Sequence, residues 1–319
     1  GYTENGHAEE ALNCFEKMKF DGFSPDAITF VCSLKACANL KAIDKGREIH
    51  AEIEKSGLLE KDPYVGSVLV DMYAKCGLLT KAWQVFDVIP IRDAITWNTL
   101  INGYSELGYG EESLNCYEMM RVEGVSPTVV TYVCTLKACC NIGAIDKGNE
   151  IHSEIEKNSL LESDLFVANT LIDMYAKFEM FTKAREVFNK LPVRDVVSWT
   201  AILALCVKHG HCRDAFWLFN QMQVEGLLPD RVAFISMLDA CVLETSITEG
   251  KRMHLYIISS AIFIDVVLGT ALVYMYGKCG KLMEAQHVLN GLALRNVVSW
   301  NAMLSSFVEQ GQPVKSLQL

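Results

Sequence analysis

Apolar residues recur along the chain in short helical blocks that are separated by turns. In segment 94–128, Trp97, Leu100 and Ile101 follow the spacing of one helix face, and glycines then interrupt the run. Apolar residues resume at helical spacing until a glycine and a proline end the second block. This pattern predicts a helix–turn–helix hairpin. Because a hairpin this small cannot bury its apolar face alone, neighbouring hairpins must stack on one another.

The same landmarks return at a fixed long period, as expected of a repeat protein. They recur every 102 residues as Pro25, Pro127 and Pro229, as His50, His152 and His254, and as Trp97 and Trp199. The next tryptophan, Trp300, comes after 101 residues, because the third copy lacks one residue of a turn between Ser260 and Asp265. A turn tolerates such a deletion because it contributes no core.

Each long period divides into pieces of 36, 31 and 35 residues, and the predicted fold is all-α, a right-handed α-solenoid of stacked helix-turn-helix repeats. We predict one array over residues 1–319, with both chain ends cutting through a repeat of a longer array. Its complete repeats are 27–62, 63–93, 94–128, 129–164, 165–195, 196–230, 231–265 and 266–296, with partial repeats 1–26 and 297–319.

Helical geometry sorts the first helix of each repeat into two faces. At about 100° per residue, positions 4, 7, 8 and 11 share one face, and positions 2, 5, 9 and 13 share the opposite one. The first set is apolar and is predicted to be core. The second set, here named the stripe, reads Ile95, Asn98, Asn102 and Glu106 in one repeat. A hydrophobe beside a small polar side chain suits stacking on a base and reading its edge, although an ordinary solvated helix face is the alternative.

Two further groups belong to the stripe. The position-2 residues Ile95, Phe166, Val197 and Val267 are candidates for base stacking. Lysines at position 13 are candidates for phosphate contacts, because cations beside the backbone gain affinity by counterion release. These lysines are Lys75, Lys177, Lys208 and Lys278, and for each of them a solvated lysine near a helix end is the alternative.

Composition restricts the class of ligand. The net charge of −10 argues against coating of DNA or anionic membranes by bulk electrostatics, so neither DNA nor membrane is expected as a partner. Twelve cysteines include no C-x-x-C, and Cys37, Cys139 and Cys241 stand at apolar positions, which favours reduced core thiols. The apolar stretch 255–276 is long enough to span a bilayer, but Asp265 at its middle favours two helices around a turn.

Catalytic motifs are incomplete in this segment. H-x-E, one half of the zinc deaminase signature, occurs as His50–Ala51–Glu52 and as His152–Ser153–Glu154, but the required P-C-x-x-C is missing, and the copy at His254 lacks the glutamate. The sequence His209–Gly210–His211–Cys212 falls in a turn without a partner cluster. No phosphate-binding loop or nucleophile elbow occurs. We therefore predict no catalytic residue, no metal site, no cofactor and no enzymatic activity in this segment, leaving a deaminase domain beyond Leu319 open.

At these residues the sequence resembles the pentatricopeptide-repeat family, specifically its plant subclass with alternating 35-, 36- and 31-residue repeats. The matching text includes "DAITWNTLINGY", "DVVSWTAIL", "NVVSWNAML" and "LIDMYAK", and the resemblance covers essentially the whole chain. It implies an RNA-binding protein of the mitochondrion or chloroplast, although no targeting segment is visible here.

The family reads one base per repeat with the fifth and the last residue together. Carried over, the pairs and their bases are Ser67 with Asp93 for G, Asn98 with Thr128 for a pyrimidine, Asn169 with Asp195 for U, Thr200 with Asp230 for G, and Thr270 with Asn296 for A. The 36-residue repeats carry Val31, Val133 and Ile235 at the fifth position, which cannot hydrogen-bond a base, so we interpret them as spacers or nonselective contacts. The implied site is G-Y-N-U-G-N-A, written 5′ to 3′.

The leading hypothesis is therefore a sequence-selective module for single-stranded RNA that specifies sites of organellar RNA processing, above all C-to-U editing, with a deaminase or other editing factors acting in trans. A tetratricopeptide-like protein scaffold is the alternative, since its A-x-x-x-F spacing occurs at Ala82–Phe86, but a uniform period of about 34 residues is absent. A degenerate array that folds and binds nothing is the third possibility.

Overall fold

The computed structural model describes residues 7–260, 262–312 and 314, and every regular element in this part of the chain is an α-helix. The ends of the two predicted partial repeats, residues 1–6 and 315–319, lie outside the described residues. The chain divides into two compact units, Gly1–Leu160 (unit 1) and Leu161–Leu319 (unit 2). The prediction of one array over residues 1–319, with the stated repeat boundaries, stays a prediction.

Unit 1 consists of helical hairpins whose first helices, α2, α5, α7 and α9, pack side by side, while α1, α3, α6, α8 and α10 are second helices. The bounds are α1 Ala8–Phe20, α2 Ala27–Leu40, α3 Ile43–Ser56, α4 Leu58–Lys61, α5 Pro63–Lys75, α6 Leu79–Val88, α7 Ala94–Glu106, α8 Gly110–Val122, α9 Val129–Ile142 and α10 Ile145–Lys157.

Unit 2 repeats this arrangement with α12, α14, α16, α18 and α20 as first helices. The predicted all-α fold of stacked hairpins, an α-solenoid, is confirmed in both units. The bounds are α11 Leu160–Ser163, α12 Leu165–Lys177, α13 Phe181–Lys190, α14 Val196–Lys208, α15 Cys212–Val224, α16 Arg231–Leu243, α17 Ile247–Ser259, α18 Val266–Lys278, α19 Leu282–Gly291 and α20 Val297–Glu309.

Segments of different length differ in their second helices. The 31-residue segments have second helices of 10 residues (α6, α13, α19), whereas those of the 35-residue segments have 13 (α8, α15). In two of the 36-residue segments an extra four-residue helix, α4 or α11, follows the second helix. In the third, residues 262–265 are not helical. The hairpins are therefore of three kinds. They differ in the length of the second helix and of the segment that follows it.

Each first helix begins at a polar residue that caps it. The carboxylates of Asp93, Asp195 and Asp230 accept hydrogen bonds from backbone N–H groups three residues later, at 2.8–2.9 Å. Such a cap satisfies a donor that has no partner within the helix, and its loss typically costs about 1 kcal/mol. The last residue of these segments is thus a structural element in its own right.

The predicted core face is buried. Trp97 packs edge-on against Phe86 of the preceding segment, with ring centroids 4.5 Å apart, and Trp199 packs in the same way against Phe188 at 4.9 Å. Leu100 is fully buried, whereas Tyr104 of the same face is half-buried because it lies near the end of its helix. Aromatic edges between consecutive hairpins thus form a recurring part of the stacking interface.

Of the twelve cysteines, seven are buried, three are half-buried and two are exposed. Cys37, Cys139 and Cys241 are fully buried, and burial raises the pKa of the Cys139 thiol to about 12, so that it stays protonated and unreactive. Cys14 and Cys32 are exposed instead, because they stand outside the buried face of α1 and α2. The prediction of core thiols is therefore wrong for these two.

The apolar stretch 255–276 is divided between α17 and α18, as predicted, with Asp265 capping the start of α18 through the N–H of Leu268 at 2.9 Å. Among the residues described, none of the helices combines the length and the apolar character needed to cross a membrane.

Glu179 provides a test of backbone strain. It occupies the left-handed region at φ 58°, where the equivalent residue 102 positions earlier is Gly77 at φ 78°. A side chain costs roughly 1–2 kcal/mol in this region. We expect Glu179→Gly to raise the free energy of unfolding by up to about 1 kcal/mol, since the greater freedom of glycine in the unfolded chain offsets part of the relief. Urea titration measures this, with Gly77→Glu as the matched reverse change; a stabilising Gly77→Glu would contradict the strain.

Two half-buried histidines provide a test of pH dependence. Nδ1 of His50 and of His254 each lies 2.9 Å from a tyrosine hydroxyl of the next segment, Tyr73 and Tyr276. Burial lowers the pKa of both histidines below the usual value, so the folded state favours the neutral form. The unfolded chain therefore binds more protons, and stability is lost as the pH falls through the unfolded pKa of about 6.5.

We expect the loss of stability between about pH 7.5 and 5.5 to be smaller in the double variant His50→Gln/His254→Gln than in the unchanged chain, as measured by urea unfolding at both pH values. An equal loss in both proteins would show that these two histidines do not sense pH.

Candidate functional site

The position-2 hydrophobes of the stripe are exposed in every first helix where they were predicted to stack. Ile95, Phe166, Val197 and Val267 expose 55–60% of their surface. Side chains of this size are normally buried, and recurrence at one structural position sets them apart from scattered surface hydrophobes. Tyr64, which was not among the predicted stacking residues, is 49% exposed at the same position of segment 63–93. Its helical position was the signal that could have identified it.

Three of the five predicted pairs are joined by direct hydrogen bonds. Nδ2 of Asn98 donates to Oγ1 of Thr128 at 3.0 Å, while Thr131 donates to Oδ1 of Asn98 at 2.5 Å. Oγ1 of Thr200 donates to Oδ1 of Asp230 at 3.2 Å. The fifth and the last residue of a segment are therefore neighbours in space, because the last residue caps the next first helix beside them.

The pair of Asn169 and Asp195 has an additional feature. Nδ2 of Asn169 lies 3.2 Å from both carboxylate oxygens of Asp195. Burial of Asp195 acts to raise its pKa, but hydrogen bonds from the N–H of Ser198 and from Asn169 outweigh it and leave the pKa below the usual value. An ionised carboxylate only accepts hydrogen bonds, so the amide nitrogen must face it. The carbonyl oxygen of Asn169 is then buried and has no hydrogen-bond partner among the described residues, so a base edge would have to enter the helix seam to reach it.

The remaining two pairs are arranged differently. Ser67 and Asp93 are linked through Thr96, whose hydroxyl lies 2.8 Å from the oxygens of both. The hydroxyl of Thr270 donates to the carbonyl of Val266 at 2.6 Å, and the side chain of Asn296 accepts from the N–H of Ser299. Thr270 and Asn296 therefore do not form the direct bond that joins the other pairs.

The fifth residues of the five pairs are buried or half-buried rather than exposed on the helix surface. Asn98 and Thr200 each expose 9% of their surface, and Ser67 exposes 4%, whereas Asn169 and Thr270 are half-buried. The cause is the side-by-side packing of first helices, which leaves the short polar side chains at the seam between two helices.

In unit 2 the stripe lines an open cleft of about 490 Å³ between α18 and α20. Its walls include residues at positions 2, 5 and 9 of both helices, together with Ile235: Val267, Thr270, Tyr274, Val298, Asn301 and Ser305. The cleft is mostly apolar with a few polar groups, which is the composition expected of a surface that accepts flat rings.

The four lysines predicted to meet phosphate all form ion pairs. Lys75 contacts Asp71 at 2.8 Å, Lys177 contacts Asp173 at 3.5 Å and Lys208 contacts Glu179 at 3.2 Å. Lys278 contacts Glu309 at 2.6 Å and lies 5.3 Å from the ring of Tyr274. Their role in phosphate binding stays a prediction, and a phosphate would have to compete with a carboxylate at each one. For Lys75 and Lys177 the sequence already indicated an ion pair, because an aspartate precedes each lysine by four residues on the same helix.

The histidines of the H-x-E sequences lie within the hairpin stack, where His50 contacts Tyr73. His211 stacks on Phe181 with ring centroids 4.5 Å apart. Among residues 7–260, 262–312 and 314, no group of three or more histidine, cysteine, aspartate or glutamate side chains could hold a metal ion.

Stacked two-helix hairpins, whose first helices carry polar pairs beside exposed hydrophobes, define an α-helical repeat protein. The chain belongs to the pentatricopeptide-repeat family, and the resemblance seen in the sequence is confirmed. A family model described as "PPR repeat family" matches residues 1–39, 92–141 and 194–242, and one described as "PPR repeat" matches residues 67–90, 166–196 and 298–319.

Relatives of the chain are pentatricopeptide repeat-containing proteins of Arabidopsis thaliana. A chloroplastic one is 34% identical over 99% of this chain and 51% of its own length, and a mitochondrial one is 33% identical over 93% of this chain and 53% of its own. The chain thus spans about half the length of these relatives. Among solved structures, maize PPR10 has a TM-score of 0.74 at 19% identity over 99% of this chain and 51% of that chain. This similarity concerns the fold.

The double role of Asp195 is testable. Asp195→Ala removes the cap of α14, and we expect it to lower the free energy of unfolding by about 1 kcal/mol, within a range of roughly 0.5–2. Asp195→Asn keeps an oxygen that can accept from Ser198 and should cost less. Thermal or urea unfolding of the two variants measures the difference, and equal destabilisation by both would contradict the capping role.

Proposed function

We propose that this chain is a sequence-selective binding module for single-stranded RNA. The observation that carries the proposal is an exposed hydrophobe beside a fifth residue that is hydrogen-bonded to the last residue of its segment, found on α7 in unit 1 and on the successive first helices α12 and α14 in unit 2. Bases of single-stranded RNA stack on exposed side chains and present their edges to polar groups. A solved structure of PPR10, with a TM-score of 0.70 to this chain at 20% identity over 99% of it and 53% of that chain, is a complex with an 18-nt psaJ RNA element.

The polar pairs suit different base edges. The unpartnered carbonyl oxygen of Asn169 is an acceptor that fits the single N–H donor of the uracil Watson–Crick edge. At the next complete 35-residue segment, the carboxylate of Asp230 accepts from Thr200 and has further lone pairs for donors. The guanine edge carries several N–H donors, so this pair suits G. Within unit 2 the proposed site reads U-G-N-A.

The finer proposal concerns RNA processing in an organelle. Relatives named chloroplastic and mitochondrial support an organellar location, and the alternation of three segment lengths favours C-to-U editing among the RNA roles. In this proposal the module selects the RNA site by binding it, and a deaminase or other editing factors act in trans or from a further part of the protein.

We expect Asn169→Thr to shift base preference at one nucleotide from U towards G. Each correct base contact contributes about 1–3 kcal/mol, so the preference ratio should change by roughly fivefold or more. The measurement is a fluorescence-anisotropy titration with RNAs containing U-G-N-A or G-G-N-A within a constant flank. Asn220→Thr makes the same chemical change on the second helix α15 and should leave the ratio unchanged.

Two outcomes distinguish a failure of RNA binding from a failure of the assignment of bases to residue pairs. If the unchanged chain binds none of these RNAs, the RNA-binding function itself is wrong, and a protein scaffold becomes the better hypothesis. If it binds but Asn169→Thr leaves the preference at every position unchanged, the assignment of bases to pairs is wrong.

A further inference from the structure

A third side chain joins two of the five polar pairs. It stands at position 3 of the first helix that the last residue of the pair caps. In unit 1 this residue is a threonine, and its hydroxyl contacts the fifth residue of the preceding segment. In unit 2 it is a serine or an alanine. The five position-3 residues, in chain order, are Thr96, Thr131, Ser198, Ala233 and Ser299.

Asn98 lies in a closed ring of three hydrogen bonds. Its Nδ2 donates to Oγ1 of Thr128 at 3.0 Å, and its Oδ1 accepts from the hydroxyl of Thr131 at 2.5 Å. The hydroxyl oxygens of Thr128 and Thr131 are 3.2 Å apart. Because a hydroxyl carries one proton and that of Thr131 goes to Asn98, Thr128 is the donor between the two threonines. Both ends of the Asn98 amide are therefore engaged within the protein.

The hydroxyl of Ser67 is occupied in a related way. Oγ1 of Thr96 donates to Oδ1 of Asp93 at 2.8 Å and lies 2.8 Å from Oγ of Ser67. Since Thr96 has no second proton, Ser67 either donates to Thr96 or donates to the backbone carbonyl of Pro63 at 3.0 Å. In both cases the only proton of Ser67 is used within the protein. No donor of Ser67 is then left for a base.

The position-3 serines of unit 2 direct their hydroxyls elsewhere. Ser198 donates to the backbone carbonyl of Asp195 at 2.9 Å, and Ser299 donates in the same way to the residue three positions before it at 2.8 Å. The carbonyl oxygen of Asn169 consequently has no partner among the described residues, although Asn169 and Asn98 occupy the same position of their segments. The last residues of the two segments also differ, but both of them contact the amide nitrogen rather than the oxygen.

We propose that Thr131 is a positioning residue of the RNA site, which engages the amide oxygen of Asn98 and makes segment 94–128 a weakly selective reader. This inference rests on the proposed RNA-binding function. A base donor that enters the seam at Asn98 must share this oxygen with the Thr131 hydroxyl or displace it, whereas at Asn169 it meets an acceptor without a partner. Loss of a buried hydrogen bond offsets part of what the base contact contributes. Selection is therefore strong at Asn169 and weak at Asn98.

Thr131→Val tests the inference, because it removes the hydroxyl and nearly keeps the shape of the side chain. The RNAs carry U, C, A or G at the second nucleotide of G-Y-N-U-G-N-A. We expect the preference for U over the other bases to rise by about threefold to tenfold, since Oδ1 of Asn98 becomes free for the N–H of uracil. Thr131→Ser keeps the hydroxyl and should retain the weak preference of the unchanged chain. Fluorescence anisotropy measures the affinities.

Ser198→Ala is the matched control. Thr131 and Ser198 both complete a capping box at the start of their helices, so both variants should lower stability to a similar extent, as measured by thermal unfolding. The hydroxyl of Ser198 donates to the backbone instead of the fifth residue. Ser198→Ala should therefore leave the preference for U at the fourth nucleotide, opposite Asn169, unchanged.

Three results would overturn the inference while RNA binding by the unchanged chain stands. They are an unchanged preference in Thr131→Val, a shift of equal size at the fourth nucleotide in Ser198→Ala, and a Thr131→Ser variant that behaves like Thr131→Val. If the unchanged chain binds none of the four RNAs, the proposed function is wrong as well.

Discussion

The hydrogen bonds at the start of each first helix are the interaction on which the rest of the structure depends. The residue that ends one segment caps the next first helix, and in three segments it also bonds to the fifth residue of its own segment. Asp195 holds both the N–H of Ser198 and the amide of Asn169. Folding and the presentation of polar edges therefore use the same side chain, which ties the spacing of the polar pairs to the spacing of the helices.

Charge is distributed so that most cations of the stripe are already compensated. The chain has a net charge of −10, and the position-13 lysines are paired with carboxylates. Under the proposed function, long-range attraction to RNA is weak, and recognition relies on stacking, on base edges and on few local cations. In that proposal the arrangement favours selectivity, because binding that depends little on bulk charge depends more on whether the bases fit.

Much of the fold follows from sequence because the stacking of hairpins is periodic. Helical arithmetic placed Trp97 in the core and Phe166 on the surface, whereas the pairing of Asn169 with Asp195 was implied by the family resemblance. Arithmetic does not describe side-chain conformations, so the ion pairs of Lys208 with Glu179 and of Lys278 with Glu309 were not predicted. Nor does it describe how closely two helices approach, which is why the coverage of Asn98 and Thr200 emerged only from the structure. For the same reason, the absence of a direct hydrogen bond between Thr270 and Asn296 could not be predicted from helical spacing.

The three kinds of hairpin have a consequence for how such a protein grows. A second helix of 10 residues and one of 13 present surfaces of different length to the hairpin that follows. If a single hairpin were duplicated, its second helix would pack against a hairpin that normally packs on a second helix of another length. Duplication of three consecutive hairpins instead reproduces every contact between neighbours. The array would therefore lengthen by three hairpins at a time, and under the proposed function each such event would extend the RNA site by a block of nucleotides rather than by one.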